Sequence, residues 1–365
     1  MNVRREDNYD LLRIISTIAV IVIHITGVYI SSYTDGEFFG ELYQSHTLVI
    51  LLYSTLVSFA VPCFIMLSGA FVLADDRNED YAYFYKKSLK NIGIPTIIFS
   101  ILYFLYSEIL ICAGIFVKGK ELFRVLMPIE DFIKGKPYYH MWYLYTLLGI
   151  YMLVPVILKI KNSVKEETFS KICIAMFLIS GISGRTSSFE INWSIAKSVC
   201  YVGYFMAGYH LRKWNKEKKD NKAGILFILL GFGTECMLAF MNYVNIVGMA
   251  VVDDIYIGGG HFNPFCMIAV LLIFTGVSKL KVNWNLHRLS SHTFYIYLIH
   301  AFVWNLLSRV VRKIGVEADA RIIIPVMTVC VFAISYILSI IYNRLWNEID
   351  SRCQVSEKIC KVFRL

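Results

Sequence analysis

The chain has 365 residues, of which 57% are hydrophobic and 17% are charged, and its formal net charge is +9. Soluble domains carry about 25% charged residues, so this composition excludes an ordinary soluble protein and predicts an all-α, polytopic membrane protein. The basic residues alternate with apolar segments, which argues against a nucleic-acid partner.

Ten apolar segments follow one another along the chain, each of roughly 17–27 residues and long enough to cross a bilayer. These predicted spans cover residues 11–33, 48–74, 92–117, 139–158, 168–184, 193–211, 223–243, 262–279, 289–311 and 322–346. The sequence therefore predicts about ten transmembrane helices in one membrane domain, 1–346, and a short basic cytoplasmic tail, 347–365. That tail would be an amphipathic helix on the inner leaflet or a solvated segment.

The distribution of basic residues predicts the orientation of these spans. If the N-terminus is cytoplasmic, 24 of the 36 Lys and Arg residues fall in segments on the inner side of the membrane. Cytoplasmic loops carry an excess of Lys and Arg, so both termini are predicted to be cytoplasmic. The loop 118–138 would be outside although it holds five basic residues, because the alternation of spans requires that placement.

The first span carries two groups that lipid penalises, Arg13 and His24. Their separation of eleven residues corresponds to nearly three full turns of an α-helix and about 16 Å along its axis, so the two share one face. Arg13 would lie near the cytoplasmic interface, where it either snorkels to lipid headgroups or binds an anion. His24 would lie beyond the midplane, where an ionisable group faces a cavity or bonds a neighbouring helix.

The cytoplasmic ends of the second and third spans add further polar residues. Ser68, followed by glycine, provides a hydroxyl and a site for close helix packing. Lys87 and Lys90 share a predicted helix face and precede Pro95, which is expected to bend or break that helix. These lysines are either positive-inside anchors or, together with Arg13, the binding site for an anion with several phosphates.

Three further ionisable residues are predicted at the depth of His24. His300 lies in the ninth span, Glu235 in the seventh and Glu108 in the third. A buried polar cavity would need such a cluster, and so would a proton or ion path, so depth alone does not select an enzyme.

The outer end of the fourth span begins with His140, Trp142 and Tyr143. Aromatic residues at this level normally form an interfacial belt, which is one interpretation of Trp142. The other is that this group, with His140, contacts a substrate that arrives from outside.

Cysteine and histidine spacing gives no sign of a metal site or of a disulfide framework. The nine cysteines lie in apolar runs or in the C-terminal tail. No spacing resembles a zinc site, so no bound metal is expected.

Taken in order along the chain, these residues resemble the signature of the acyltransferase-3 family of bacterial integral-membrane acyltransferases. The resemblance extends over about residues 8–345, and it rests on the ordered set of motifs rather than on any one of them. The matching positions are Arg13 and His24, Ser68-Gly69 with Phe71, Lys87 and Lys90, Trp142-Tyr143-Leu144, and Tyr297-Leu298-Ile299-His300. Ala70 is inserted before Phe71, and the two lysines stand where the family has arginines.

The resemblance implies transfer of an acyl group, acetyl or another such as succinyl, from cytoplasmic acyl-coenzyme A to a hydroxyl of a cell-surface polysaccharide or its lipid-linked precursor. Acetyl-coenzyme A or a related thioester would be the donor substrate, with no bound cofactor. Some family members carry a fused extracytoplasmic domain that completes the transfer. This chain is expected to act alone or to pass the acyl group to a separate extracytoplasmic protein, in a bacterial cell membrane that it crosses many times.

The resemblance also suggests roles for the candidate residues. Two groups are expected to bind the substrates: Arg13, Ser68, Lys87 and Lys90 the donor, and His140, Trp142 and Tyr143 the acceptor. His24 would be the general base toward a sugar hydroxyl, or it would be acylated first as a relay. His300 or Glu235 would orient His24, and Glu108 is the weakest candidate.

Two other functions fit parts of the pattern. Midplane His and Glu residues would also suit a proton-coupled transporter, although the sequence shows no inverted repeat and no paired broken helices. A non-catalytic membrane sensor or binding subunit would keep the same fold. The presence of Arg13, His24 and His300 together argues against that second alternative.

Overall fold

The computed structural model describes residues 6–35, 40–112, 129–185, 194–195, 197–216, 219–246, 260–314 and 319–362. Within these ranges the chain forms helices joined by turns and no β-strand. The predicted all-α fold class is therefore confirmed.

The helices that the structure describes are numbered in chain order. Those named below are α1 (Asp7–Asp35), α2 (Gly40–Leu56), α3 (Ala60–Val72), α4 (Tyr81–Ser88), α5 (Ile94–Cys112), α6 (Trp142–Ser163), α7 (Glu166–Arg185), α8 (Ser198–Asn215), α9 (Asn221–Ile246), α10 (Pro264–Lys279), α11 (His287–Ser290), α12 (Thr293–Ile314), α13 (Ala320–Cys353) and α14 (Val355–Val362). The side chains of Asp80 and Asn263 accept backbone hydrogen bonds at the starts of α4 and α10. Such caps satisfy amides that a helix leaves without partners.

Seven helical segments in the described ranges are long and apolar enough to cross a membrane. They are Asp7–Gly27, Leu48–Val72, Tyr81–Leu110, Trp142–Ser163, Asn221–Val244, Thr293–Ile314 and Ala320–Cys353. The predicted count of about ten and the cytoplasmic placement of both termini are not confirmed. The three remaining predicted spans coincide with α7, α8 and α10. Of these, α10 has only 16 residues, so its length of about 24 Å is less than the thickness of the hydrocarbon core. Most of the predicted outer loop 118–138 lies outside the described residues.

The second predicted span consists of two helices rather than one. A turn at 57–59 separates α2 from α3. Pro62 explains the break, because it has no N–H to bond the carbonyl of Ser58, four residues earlier, and its ring crowds that carbonyl. Hydrogen bonds across the turn replace the regular helical pattern. The turn places the Ser58 hydroxyl against the carboxylate of Glu235.

The described chain forms two compact units. The first contains the described residues of Met1–Phe71, Gly181–Thr186 and Tyr204–Leu345. The second contains those of Val72–Ser180, Ser187–Gly203 and Trp346–Leu365. The predicted site residues divide between them: Arg13, His24, Ser68, Glu235 and His300 belong to the first unit, and Lys87, Lys90, His140, Trp142 and Tyr143 to the second.

In the first unit, α1 packs against the helices that supply partners to its polar residues. It contacts α2, α10, α11 and α12, while α9 contacts α2 and α10. The Asn8 side-chain amide donates to the carbonyl of Val277, near the end of α10, at 3.0 Å. This buried hydrogen bond holds the beginning of α1 in place.

Glycines let α3 and α8 approach each other closely. A Cβ atom at Gly69 would lie 1.8 Å from the carbonyl oxygen of Phe205, and one at Gly208 would lie 2.0 Å from that of Met66. Both distances are far below van der Waals contact, so only glycine fits at these positions. The close packing predicted at Ser68 and its glycine is confirmed, and it fixes Phe71 two residues further along α3.

In the second unit, Pro95 disrupts the helix as predicted. Lys87 lies in the last turn of α4, whereas Lys90 lies in a π-helical turn, Leu89–Gly93, that precedes α5. Pro95 is the second residue of α5 and offers no N–H to the turn before it, which accounts for the irregular geometry. Lys90 therefore lies in a π-helical turn rather than in a regular α-helix, and the shared face of the two lysines stays a prediction.

The predicted boundary between the membrane domain and the tail falls inside a helix. α13 runs without interruption from Ala320 to Cys353, and α14 follows after Gln354, whose φ is 49°. Ser356 and Cys360 are buried on α14, four residues apart and therefore on one helix face. This agrees with the amphipathic-helix alternative for the tail.

Candidate active site

A cavity of about 380 Å³ lies beside the N-terminal part of α1. Its lining residues come from α1 and the residue before it, from α3, and from the corner between α11 and α12: Glu6, Asp10, Arg13, Phe71, Ser290, Ser291, Thr293 and Phe294. The wall therefore presents a guanidinium, two carboxylates, three hydroxyls and two phenyl rings. This combination suits a ligand that carries both an anionic group and a flat ring.

Asp10 holds Arg13 in position at this cavity. Arg13 Nη1 donates to Asp10 Oδ1 at 2.7 Å, and Ser290 Oγ donates to the same oxygen, also at 2.7 Å. The side chain of Asp10 is only 3% exposed, whereas that of Arg13 is 30% exposed. A buried carboxylate with two donors thus anchors the guanidinium while part of it still faces the cavity.

Two guanidinium groups pack on the ring of Phe71. The Cζ atoms of Arg13 and Arg212 lie 4.8 Å and 4.4 Å from its centroid. Arg212 also donates to Glu6 Oε1, from Nε at 3.2 Å and from Nη2 at 2.8 Å, and Lys219 Nζ lies 3.7 Å from Glu6 Oε2. Burial lowers the pKa of Lys219, and the Glu6 carboxylate opposes that shift. Three cations thus gather at this end of the first unit.

Further along α1, His24 meets His300. The two imidazole rings are stacked, with centroids 5.2 Å apart and an angle of 27° between their planes. His300 is fully buried and His24 is half-buried. The shared depth predicted for these residues corresponds to direct contact between their rings.

A backbone hydrogen bond fixes the ring of His300. Its Nδ1 lies 2.6 Å from the carbonyl oxygen of Tyr297. A carbonyl oxygen only accepts, so Nδ1 must carry the proton, and a neutral His300 has its lone pair on Nε2. His300 is therefore held in one tautomer and one orientation beside His24.

The Arg13 cavity and the histidine pair lie at two levels of one helix. α1 is continuous from Asp7 to Asp35, so the predicted separation of about 16 Å along the axis applies. Between the two levels, Ser16 is fully buried, and its hydroxyl has no hydrogen-bond partner among the described residues.

Glu235 forms a separate polar contact in the first unit. Its Oε1 accepts a hydrogen bond from Ser58 Oγ at 2.8 Å, and the same hydroxyl lies 3.3 Å from Cys266 Sγ. Glu235 and Cys266 are both fully buried. The partners of this carboxylate are thus a hydroxyl and a thiol rather than an imidazole. Its predicted role in orienting His24 stays a prediction, and the ring of His24 stacks on that of His300.

The remaining predicted donor residues occupy different surroundings. Ser68 is half-buried on α3, and Lys90 is exposed. Lys87 Nζ donates to Asp75 Oδ2 at 3.1 Å. Hydrogen bonds from Arg77 and then from Lys87 lower the pKa of Asp75 to about 2. Asp75 is therefore charged at neutral pH, and the ammonium of Lys87 is already paired with it.

On the predicted acceptor side, His140 lies inside a group of tyrosine rings. The ring centroids of Tyr103, Tyr139 and Tyr138 are 4.9, 5.6 and 5.9 Å from that of His140. Tyr103 and Tyr138 stack on each other at 4.6 Å. His140 is fully buried, whereas Tyr139 is 45% exposed and forms the outer edge of the group.

Trp142 and Tyr143 follow at the start of α6. Trp142 is half-buried, and Lys197 Nζ lies 5.9 Å from the centroid of its indole ring. Tyr143 is buried. His140 thus lies next to tyrosines that the sequence analysis did not include, whereas Trp142 and Tyr143 follow it at the start of α6.

Sequence reasoning missed Asp10, Glu6 and Arg212. For Asp10 a signal existed, because an acidic residue three positions before Arg13 shares its helix face. Arg212 stands in a basic run that was interpreted only as a topology signal, and Glu6 is just one of the acidic residues that flank the first span. Their pairing depends on long-range packing that no local pattern reveals.

Comparisons with known proteins identify the family. A family model described as an acyltransferase domain, the acyltransferase-3 domain, matches residues 6–343, nearly the whole chain. Searches of curated proteins and of solved structures find no match. The matched range contains both the Arg13 cavity and the His24–His300 pair, on an all-helical chain with seven membrane-grade helices in its described part. The chain therefore belongs to the acyltransferase-3 family of membrane acyltransferases.

Proposed function

We propose that this protein transfers an acyl group, acetyl in the simplest case, from acyl-coenzyme A to a hydroxyl of a cell-surface polysaccharide or of its lipid-linked precursor, in a bacterial cell membrane. The observation that carries this proposal is the stacking of His24 on His300. It puts a proton acceptor on the same helix as the Arg13 cavity.

The donor would bind with its nucleotide in the Arg13 cavity. Arg13 is positioned by Asp10 and suits a phosphate oxygen, because a guanidinium donates two parallel hydrogen bonds. Phe294, which lines the cavity, offers a ring face to the adenine. The extended pantetheine arm would follow α1 past the Ser16 hydroxyl and bring the thioester to His24. Ser68, Lys87 and Lys90 remain candidates for further contacts with the donor.

The chemistry requires one proton transfer and one acyl transfer. His24 takes the proton of the acceptor hydroxyl while its oxygen attacks the carbonyl carbon of the thioester. The carbon–sulfur bond breaks, and the imidazolium returns the proton to the departing coenzyme A thiolate. In the relay alternative, His24 itself attacks the thioester and the hydroxyl then accepts the acyl group. His300, held by the Tyr297 carbonyl, positions His24 in either route.

His140, Trp142 and Tyr143 are the residues that we propose for contact with the acceptor. Aromatic ring faces carry partial negative charge and attract the polarised C–H groups of a sugar ring. Tyr139, at the exposed edge of the tyrosine group, is the first ring that such an acceptor would meet. If the final acceptor is a larger polysaccharide, a separate extracytoplasmic protein would complete the transfer.

The test is acyl transfer by purified protein in nanodiscs, supplied with acetyl-coenzyme A and membrane-derived lipid-linked saccharides. Free thiol release and the mass of the product report the reaction. We expect His24→Ala to lower transfer by about 10²-fold or more, as when a positioned base is lost, while coenzyme A binding persists. His261→Ala is the control, because His261 lies in the short helical turn before α10 and bonds Tyr204 through its backbone carbonyl, which alanine keeps.

Two outcomes would contradict the proposal. A protein that binds or moves a substrate without releasing coenzyme A would be a carrier. If a folded His24→Ala protein transferred acyl groups at the normal rate, His24 would have only a structural role. Size-exclusion chromatography of each variant confirms that it is folded before its activity is compared.

A further inference from the structure

Arg212 and Lys219 hold a carboxylate at the edge of the Arg13 cavity. Arg212 donates two hydrogen bonds to Glu6 Oε1, and Lys219 lies 3.7 Å from Glu6 Oε2. Both cations also lie over aromatic rings, Arg212 Cζ at 4.4 Å from Phe71 and Lys219 Nζ at 5.8 Å from Tyr9. Two cations thus share one carboxylate, which leaves an excess of positive charge at this point.

Burial makes this arrangement different from a surface ion pair. The side chains of Arg212, Glu6 and Lys219 are 11%, 20% and 25% exposed. Charges that are largely withdrawn from water interact more strongly than exposed ones. The two cations therefore need an anion between them whenever the protein is folded.

Glu6, rather than either cation, is the residue that lines the cavity. Its side chain is 20% exposed, whereas that of Asp10 is 3% exposed. Glu6 therefore regains water when it leaves its partners, and Asp10 would have to move through the protein interior. Of the two carboxylates at the cavity, Glu6 is the one that a ligand displaces more easily.

We propose that Arg212 and Lys219 form a second anion subsite of the Arg13 cavity, an inference that rests on the proposed function. The Glu6 carboxylate fills this subsite in the unliganded protein, and a phosphate of the acyl-coenzyme A donor takes its place when Glu6 rotates away. Arg13 and Arg212 pack on the same Phe71 ring, so two phosphate groups of one nucleotide would bind side by side.

The chemistry favours a terminal phosphomonoester in this subsite. Such a group carries about −1.5 to −2 charges and three acceptor oxygens, against one charge and two oxygens for a carboxylate. Two cations that share one carboxylate therefore gain charge balance and hydrogen bonds from the exchange. The 3′-phosphate of coenzyme A is the phosphomonoester of the donor, whereas its diphosphate would remain with Arg13.

The test compares coenzyme A with dephospho-coenzyme A, which lacks the 3′-phosphate, by isothermal titration of protein in zwitterionic nanodiscs. Arg212→Gln should weaken binding of coenzyme A by about 10-fold or more, as for one charge-assisted contact, and should change binding of dephospho-coenzyme A little. Glu6→Gln should tighten binding of coenzyme A by roughly 3- to 10-fold, because the subsite is no longer occupied. If Arg212→Gln does not fold, Lys219→Gln replaces it.

A double variant separates displacement from a general charge effect. If Glu6 acts by filling the subsite, the gain from Glu6→Gln disappears when Arg212 is also replaced. If it acts only as a nearby negative charge, the gain persists and the proposal is wrong. Glu348→Gln and Arg352→Gln are the matched controls, since these residues form an exposed ion pair on α13, and they should leave binding unchanged.

The outcomes also distinguish this subsite from the proposed function. A wild-type protein that does not bind coenzyme A would overturn both. Normal binding and transfer by wild-type protein, with unchanged coenzyme A affinity in Arg212→Gln and Glu6→Gln, would overturn the subsite alone. A second result would also overturn the subsite. If Arg212→Gln weakened the binding of anionic lipid in the nanodisc but left coenzyme A affinity unchanged, Arg212 would be a contact for lipid headgroups.

Discussion

At the scale of single residues, charged and polar groups within apolar helices are informative because each needs a partner. Arg13 rests on Asp10, whose second donor is Ser290, and its guanidinium packs on Phe71. A snorkelling arginine would need none of these contacts. Arg13 is thus held by contacts within the protein, and its role in binding the donor stays a proposal.

We predict that Arg13→Ala weakens coenzyme A binding by roughly 1.5–3 kcal/mol, the contribution of a hydrogen bond to a charged group. Asp10→Asn should weaken it less, by about 1 kcal/mol, because the guanidinium keeps its charge and loses only its anchor. Equilibrium binding to purified variants measures both effects. Arg321→Ala, which removes an exposed arginine paired with Asp319, is the control.

If Arg13→Ala bound coenzyme A with wild-type affinity, the cavity would not be the donor site. If Asp10→Asn lost as much affinity as Arg13→Ala, Asp10 would do more than position the guanidinium. A loss in the Arg321→Ala control would show that net charge, rather than the cavity, controls binding.

At the scale of helices, two features that depend on single residues set the geometry of the site. The close approach of α3 and α8 depends on Gly69 and Gly208, and it determines where Phe71 sits. The break between α2 and α3 depends on Pro62 and places Ser58 against Glu235. Both features were visible in the sequence, but only the first was interpreted correctly.

We predict that Gly69→Ala or Gly208→Ala lowers the thermal stability of the purified protein. The added methyl group would meet a backbone carbonyl that cannot move without displacing α8 or α3, and overpacking of this kind costs about 1–3 kcal/mol. Gly233→Ala is the control, because no atom lies within 4 Å of the Cβ it would add. It should leave the melting temperature unchanged or raise it slightly, since alanine favours the helix.

A Gly69→Ala protein as stable as Gly233→Ala would mean that α3 and α8 are further apart than the structure shows. Coenzyme A binding is a second readout. A shift of Phe71 should weaken binding in Gly69→Ala, and no such effect is expected in Gly233→Ala.

At the scale of the whole molecule, the chain forms two compact units that both include membrane-grade helices. The predicted donor cavity and histidine pair belong to the first unit, and the predicted acceptor residues belong to the second. Positive-inside counting still predicts that both termini are cytoplasmic, and this orientation determines from which side the donor arrives.

We predict that a cysteine at position 136 reacts with an impermeant thiol reagent in intact cells, because the alternation of spans places it outside. A cysteine at position 358, on α14, should react only after the cells are permeabilised. Both substitutions, Lys136→Cys and Lys358→Cys, are made in a background without other cysteines, so the reagent reports one position at a time. Labelling at position 358 in intact cells would reverse the predicted orientation.

The sequence by itself determined what depends on local spacing. Hydropathy predicted the all-α class. The interval of eleven residues placed Arg13 and His24 on one helix face, and the small residues Ser68 and Gly69 predicted close packing of α3. These inferences hold because helix periodicity is a property of the chain alone. The count of ten spans was not confirmed, because several apolar helices are short or carry charged ends, and length near the threshold does not say whether a helix crosses a bilayer.

The tertiary structure alone decided which distant residues meet. His24 and His300, Asp10 and Ser290, and Glu6 and Arg212 are far apart in sequence, so their contacts depend on the rotation and register of packed helices. A pattern along one helix does not encode the rotation of another, because side-chain packing between helices determines it. For that reason the sequence placed His24 and His300 at one depth, and only the fold showed their rings stacked and a carboxylate already bound to Arg212.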